Sequence, residues 1–263
     1  MFSRIPAPFT GLHGPGRPFR AGRACIAAIA LASTLSTPAV AKTIDWSGYT
    51  WEVRDGGGGP GPNNWSADNV SVDRQKRLHL KIAKRDGKWS CAELTMTKAL
   101  GFGRYEFDVD SPAEFMNDNI VLGLFNYPTR DIGPDGTNEI DIEYATWGGQ
   151  QKEHGNWTVW PAVIGVEHGS SQFVPTCETA GSVNTFYWTQ DYVSFDWKPV
   201  YEGLAGMPCA SLHWSYHPAD VNKSIPQHPL PVHINLWLFN GKPPTDDKEV
   251  EIIVSAFRYG AAS

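Results

Sequence analysis

Asn138-Glu139-Ile140-Asp141-Ile142-Glu143-Tyr144-Ala145-Thr146-Trp147 alternates acidic and aliphatic side chains from Glu139 to Glu143. A strict period of two is that of a β-strand. Successive side chains point to opposite faces, so Glu139, Asp141 and Glu143 share one face. Ile140, Ile142 and Tyr144 share the other, which can pack into a core. Three carboxylates in a row along a strand stand roughly 6.6–6.8 Å apart and repel one another. A solvated surface strand would more often intersperse Lys or Thr. The plain reading is an acidic edge on a sheet. The chemical reading is that negative neighbours raise the pKa of one member, which then serves as an acid near neutral pH.

Outward from this stretch, short strand-like runs alternate with turn signals from Arg77 on. They cover 77–83, 89–97, 103–110, 119–127, 138–146, 156–163, 185–197, 210–216, 232–239 and 249–258. No amphipathic helix stands out. Many strands at near-regular spacing predict an all-β fold, an antiparallel sandwich. The segments Asp45–Trp51 and Phe257–Tyr259 are expected to pair or to lie close. On such a scaffold the acidic row fits a glycosidase pair, in which one carboxylate attacks an anomeric carbon and the other protonates the leaving oxygen.

The first 41 residues carry Arg4, Arg17, Arg20 and Arg23 and no acid. An apolar run from Ala24 to Leu35 follows, then Ala39-Val40-Ala41, a small-x-small cleavage site before Lys42. Residues 1–41 read as a secretory signal peptide, and residues 42–263 as one catalytic domain, secreted or periplasmic. Removing four arginines and no acid moves the formal net charge from −6 to −10. That balance argues against nucleic acid as a partner. The apolar run is too short for comfortable membrane insertion, and the protein is expected to be a monomer. Cys91, Cys177 and Cys209 remain, an odd number for an exported chain. A Cys177–Cys209 disulfide with Cys91 buried and free is the expected pairing. All eleven Trp lie after residue 41. Core filling is the default for each singly, yet the surplus also suits stacking on pyranose rings.

With Glu139–Glu143 stand further motifs: Cys91-Ala92-Glu93, Gly101-Phe102-Gly103-Arg104-Tyr105-Glu106, Phe125-Asn126-Tyr127, Val193-Ser194-Phe195-Asp196-Trp197 and Asn235-Leu236-Trp237. In these the chain resembles glycoside hydrolase family 16, which includes lichenases, laminarinases and xyloglucan transglycosylases. The resemblance runs over most of residues 45–260 and implies a concanavalin-like β-jelly-roll sandwich of two antiparallel sheets. The spacing matches the family's regular, unbulged active strand. It implies Glu139 as nucleophile, Glu143 as general acid/base, and Asp141 between them orienting and tuning the nucleophile. The implied reaction is retaining endo-cleavage of a β-glucan-type polysaccharide.

Glu93, Phe125, Tyr127, Trp147, Asn156, Trp160, Asn235 and Trp237 are the matching candidates for substrate binding. Parity puts Glu93 with Thr95, Phe125 with Tyr127, Asn156 with Thr158, and Asn235 with Trp237 on shared faces. The strand amides of Asn156 and Asn235 need partners, either a sugar hydroxyl or a turn backbone. Trp147 and Trp160 suit sugar stacking and core packing equally. Departures from lichenases are Thr137 for a Trp, Asn138 for an acid and Thr95 for a cleft Arg. The last strand, Ile253–Tyr259, lacks the acid of the lichenase calcium site, so no metal and no cofactor is expected. A transglycosylase using the same residues and a non-catalytic lectin on the same fold remain as alternatives.

Overall fold

The computed structural model describes residues 41–113, 116–175, 180–200 and 209–262. The expected leader, apart from Ala41, and Cys177 lie outside the described residues. The strands of the first half are β1 (Thr43–Trp46), β2 (Tyr49–Val53), β3 (Gly56–Gly58), β4 (Asn63–Trp65), β5 (Val70–Val72), β6 (Leu78–Arg85), β7 (Lys88–Ser90), β8 (Ala92–Leu100) and β9 (Gly103–Val109). Those of the second half are β10 (Ile120–Asn126), β11 (Ile140–Tyr144), β12 (Gly155–Val159), β13 (Gly169–Phe173), β14 (Ser182–Trp188), β15 (Val193–Pro199), β16 (Leu212–Tyr216), β17 (Leu230–Leu238) and β18 (Val250–Ala261). One four-residue α-helix, Val221–Ser224, accompanies them.

Two large sheets hold nearly all of these strands. The first runs β1-β2-β8-β17-β10-β11-β12-β13, and the second β16-β15-β14-β9-β18-β6-β5 with β7 paired to β6. Their ladders are antiparallel, as in the expected jelly-roll sandwich. Alternation decides which face each side chain takes. In β17 Leu230, Val232, Ile234, Leu236 and Leu238 are buried in the core, while His233, Asn235 and Trp237 face the other way. Ile140, Ile142 and Tyr144 of β11 join the same core.

The sheets are tied together through their aromatic residues. Trp157 of β12 stacks on Phe195 of β15 at 5.7 Å and on Phe173 of β13 at 4.3 Å. Tyr144 Oη donates to Asn184 Oδ1 of β14 at 2.6 Å. That bond fastens the acidic strand to the opposite sheet at a buried polar pair, which would be costly to leave unmade. The segments Asp45–Trp51 and Phe257–Tyr259 lie close without pairing as strands. Trp51 meets Phe257 edge-on at 5.8 Å, and Ser47 Oγ accepts the Phe257 N–H at 3.0 Å.

Two sequence expectations need correction, and one strand lies outside the expected runs. The run 185–197 is a hairpin rather than one strand. Thr189 Oγ1 accepts the N–H groups of Asp191 and Tyr192 and turns the chain between β14 and β15. The run 138–146 starts late, because Asn138 takes a left-handed conformation at φ 53. Its side chain donates to Ala162 O and its own N–H to Pro161 O, so the strand begins at Ile140. The β13 strand, Gly-Ser-Ser-Gln-Phe, escaped notice because it has little apolar alternation.

Candidate active site

The first sheet carries a cleft of about 520 Å³ on the face away from the core. Glu139, Asp141 and Glu143 all line it, and the neighbouring strands supply its floor in register. Asp141 lies opposite Phe125 of β10, and Phe125 opposite His233 of β17. Glu143 lies opposite Gly123, Gly123 opposite Asn235, and Asn235 opposite Glu93 of β8. Gly123 is needed there, since a Cβ at that position would meet Asn235 Oδ1 at 2.5 Å. The bare backbone leaves room between Glu143 and the Asn235 amide. Asn235 is 4 % exposed and its Oδ1 has no hydrogen-bond partner.

Burial governs the electrostatics of the acidic row. Asp141 is only 3 % exposed. Burial pushes its carboxyl well above the usual range, the Glu139 charge and the hydrogen bond to Glu139 add to this, and the Trp160 N–H opposes it. Trp160 Nε1 donates to Asp141 Oδ2 at 2.9 Å. Burial also pushes Glu139 up, to about 8. Its hydrogen bond with Asp141 pulls it back, whereas the charges of Glu143 and Asp135 raise it further. For Glu143 burial and the Asp141 charge both act upward, well above the usual range. All three carboxyls are therefore easier to protonate than in water, and a hydrogen bond joins Asp141 to Glu139. A row with one member easier to ionise and another held protonated can divide nucleophile and acid roles.

One side of the cleft holds a polar chain that links three strands. Arg54 Nη1 donates to Glu93 Oε2 at 2.7 Å, His233 Nδ1 lies 3.5 Å from Glu93 Oε1, and Thr95 Oγ1 lies 3.0 Å from His233 Nδ1. The Arg54 guanidinium also sits 4.4 Å from the Trp65 ring centroid, within cation–π range. Thr95 stands where the resemblance leads one to expect a cleft Arg, and here Arg54 brings a guanidinium to the cleft from the end of β2. Phe125, Tyr127 and His233 form an aromatic group, with Phe125 stacked on His233 at 5.2 Å. Beyond the Glu143 end Trp237 lines the cleft and packs against Trp147 and Phe239.

Of the eight side chains expected to bind substrate, Glu93, Phe125, Tyr127, Asn235 and Trp237 line the cleft. The other three are placed differently. Asn156 is bonded locally, its amide accepting from Gln151 Nε2 at 2.9 Å and donating to Ala145 O at 3.2 Å, and it is not among the cleft-lining residues. Trp160 is bonded to Asp141 and its ring lies 4.6 Å from His168. Trp147 backs Trp237 and Phe239. Arg54, Asp135 and His233 line the cleft without having been singled out in the sequence. The alternation Trp51-Glu52-Val53-Arg54 was the available signal for Arg54. For Asp135 the signal was the turn dipeptide Asp135-Gly136, whose Gly136 takes φ 78. Among the described residues no cluster of three or more His, Cys, Asp or Glu side chains is arranged to hold a metal.

No family model and no curated protein matches the sequence. Solved structures do. A Bacillus licheniformis β-glucanase superposes with a TM-score of 0.56 at 21 % identity, over 81 % of this chain and 92 % of its own. A β-1,3-1,4-glucanase (lichenase) from a mouse hindgut metagenome gives 0.56 at 20 %, over 81 % and 93 %. A laminarinase from a Flavobacterium species gives 0.55 at 17 %, over 78 % and 92 %. At these identities the likeness is one of fold: this chain has the sandwich of those glucanases.

Proposed function

We propose that this chain is a secreted retaining endo-β-glycosidase of the glycoside hydrolase family 16 type, acting on a β-glucan-type polysaccharide. The observation that carries the reading is the row Glu139, Asp141 and Glu143 lining one cleft, with Asp141 buried, Glu139 and Glu143 half-buried, and all three carboxyls raised above their ordinary range. A lectin gains nothing from crowding three carboxylates into one row, whereas a glycosidase uses their unequal proton affinities. The glucan-acting proteins that share the fold support the substrate class.

In this mechanism Glu139 attacks the anomeric carbon while Glu143 gives its proton to the departing glycosidic oxygen. The Glu139–sugar bond forms as the glycosidic bond breaks, leaving a glycosyl-enzyme. Glu143, now ionised, takes a proton from an incoming water, whose oxygen displaces Glu139 with net retention. Asp141 stabilises the Glu139 anion by donating to it and is itself held by Trp160. Aromatic rings toward both ends, Phe125 and Tyr127 on one side and Trp237 on the other, suit an extended chain of pyranose rings.

Glu139→Gln should abolish turnover at nearly constant volume. Azide or formate should restore cleavage by Glu139→Ala, with inverted product, because the anion takes the place of the missing carboxylate. Wild-type-like turnover in either variant without added anion overturns the assignment. Reducing-end release on a panel of glucans, read beside product chain lengths, separates hydrolysis from sugar transfer.

A further inference from the structure

Tyr127 and Asp135 make a contact that the reaction above does not use. Tyr127 directly follows β10 and lines the cleft, and its hydroxyl donates to Asp135 Oδ1 at 2.7 Å. Both residues line the cleft alongside Glu139. Asp135 comes from the loop between β10 and β11, which is held in place locally. Thr137 Oγ1 donates to Pro134 O at 2.7 Å, and Asn138 Nδ2 donates to Ala162 O at 3.1 Å. A Cβ on Gly133 would meet Thr137 Oγ1 at 2.5 Å, so this loop is closely packed at that turn.

A phenol has one proton. Committed to Asp135, it is unavailable to Glu139, and toward the cleft the Tyr127 oxygen can only accept. We propose that Asp135 is a positioning residue for the cleavage, turning the Tyr127 proton away from the nucleophile so that the Glu139 carboxylate keeps its lone pairs for the anomeric carbon. The inference rests on Glu139 being the nucleophile. With Asp135 removed, the hydroxyl turns and donates to Glu139, which weakens the nucleophile.

Asp135 has a second, separable effect through its charge. Around Glu139 the cleft is lined by Asp141 and Glu143 from β11, Tyr127 just after β10, Asp135 from the loop, and Arg54, Glu93 and His233. Burial, Glu143 and Asp135 raise Glu139, and Asp141 lowers it by hydrogen bonding. Loss of the Asp135 charge therefore lowers the Glu139 pKa and moves the acid limb of kcat/KM to lower pH.

The test is a double-mutant cycle of Asp135→Ala and Tyr127→Phe, with kcat, KM and pH profiles measured on a glucan the wild type cleaves and folding checked by circular dichroism. Asp135→Ala should lower kcat by roughly ten- to a hundredfold, the scale of a hydrogen bond to a charged group, with KM within about twofold. In the Tyr127→Phe background the same substitution should cost no further kcat, yet still shift the acid limb downward. An equal kcat loss in both backgrounds, a change in KM alone, or an unchanged kcat overturns the inference. Failure of the underlying reading looks different: Glu139→Gln would then retain turnover, or the wild type would cleave nothing on the panel.

Discussion

Asp141 shows how much one residue shapes the pH behaviour of the site. Its pKa in the folded protein is raised above the ordinary aspartate value of 3.8. A carboxyl raised in this way contributes stability that is complete below its unfolded value and is lost as pH rises through the folded value. Asp141→Asn keeps an oxygen to accept from Trp160 and an amide to donate to Glu139, but cannot ionise. It should be about as stable as the wild type near pH 4 and increasingly more stable as pH rises from there, by at most about 1.4 kcal/mol for each pH unit crossed. Thermal scans across that range check this, and a gap that stays constant with pH would contradict it. At this scale the acidic row was legible, because period two alone aligns Glu139, Asp141 and Glu143. Asp135 and Arg54 were not, since their places depend on a loop and on a strand end that carry no long periodicity.

Strand β10 governs the middle of the site because it separates β11 from β17. A side chain at Gly123 would stand between Glu143 and Asn235, and even a methyl group would meet Asn235 Oδ1 at 2.5 Å and the Phe125 ring at 3.2 Å. Gly123→Ala should therefore displace Asn235 and narrow the cleft, lowering kcat/KM by about tenfold or more while costing about 1–3 kcal/mol of stability for overpacking. Comparing kinetics with urea unfolding on one preparation checks this, and unaltered kcat/KM would show that the cleft does not need the gap. Strands with apolar alternation, such as β11 and β17, were visible from sequence, and parity placed their outward residues correctly. Parity could not tell which outward residues meet the cleft. Asn156 obeys it and still turns to Gln151 and Ala145. Nor does the Trp count mark a sugar site by itself. Trp46, Trp51, Trp65, Trp157, Trp188 and Trp197 fill the core, and Trp237, buried as part of the same cluster, is the one Trp that also lines the cleft. Trp237 is 7 % exposed and packed on Trp147 and Phe239, so Trp237→Ala should cost both substrate affinity and about 3–5 kcal/mol of stability.

For the whole molecule, the sandwich keeps its aromatic core between two sheets and turns the acidic row outward on one of them. Within it Cys91 is free and buried, its thiol pushed up to about 12 by burial, and Cys209 is disulfide-bonded. No helix among the described residues is long and apolar enough to cross a membrane. The fold class was legible from the many short alternating runs, whereas sheet order was not, since neighbours such as β8 and β17 are far apart in sequence. The proposed leader ends directly before Lys42. Lys42 is already bound into the fold: its Nζ donates to Ala67 O and Val70 O at 2.7 Å each, and its carbonyl accepts the Val53 N–H at 2.8 Å. Cleavage after Ala41 leaves all three bonds in place, while cleavage one residue later removes them. On the proposed reading of residues 1–41 as a leader, the mature protein should begin at Lys42, as mass spectrometry of a culture medium or periplasmic extract would show. A chain begun at Thr43 should melt at a lower temperature than one begun at Lys42. An active exported protein that retains residues 1–41 would overturn the assignment of the leader.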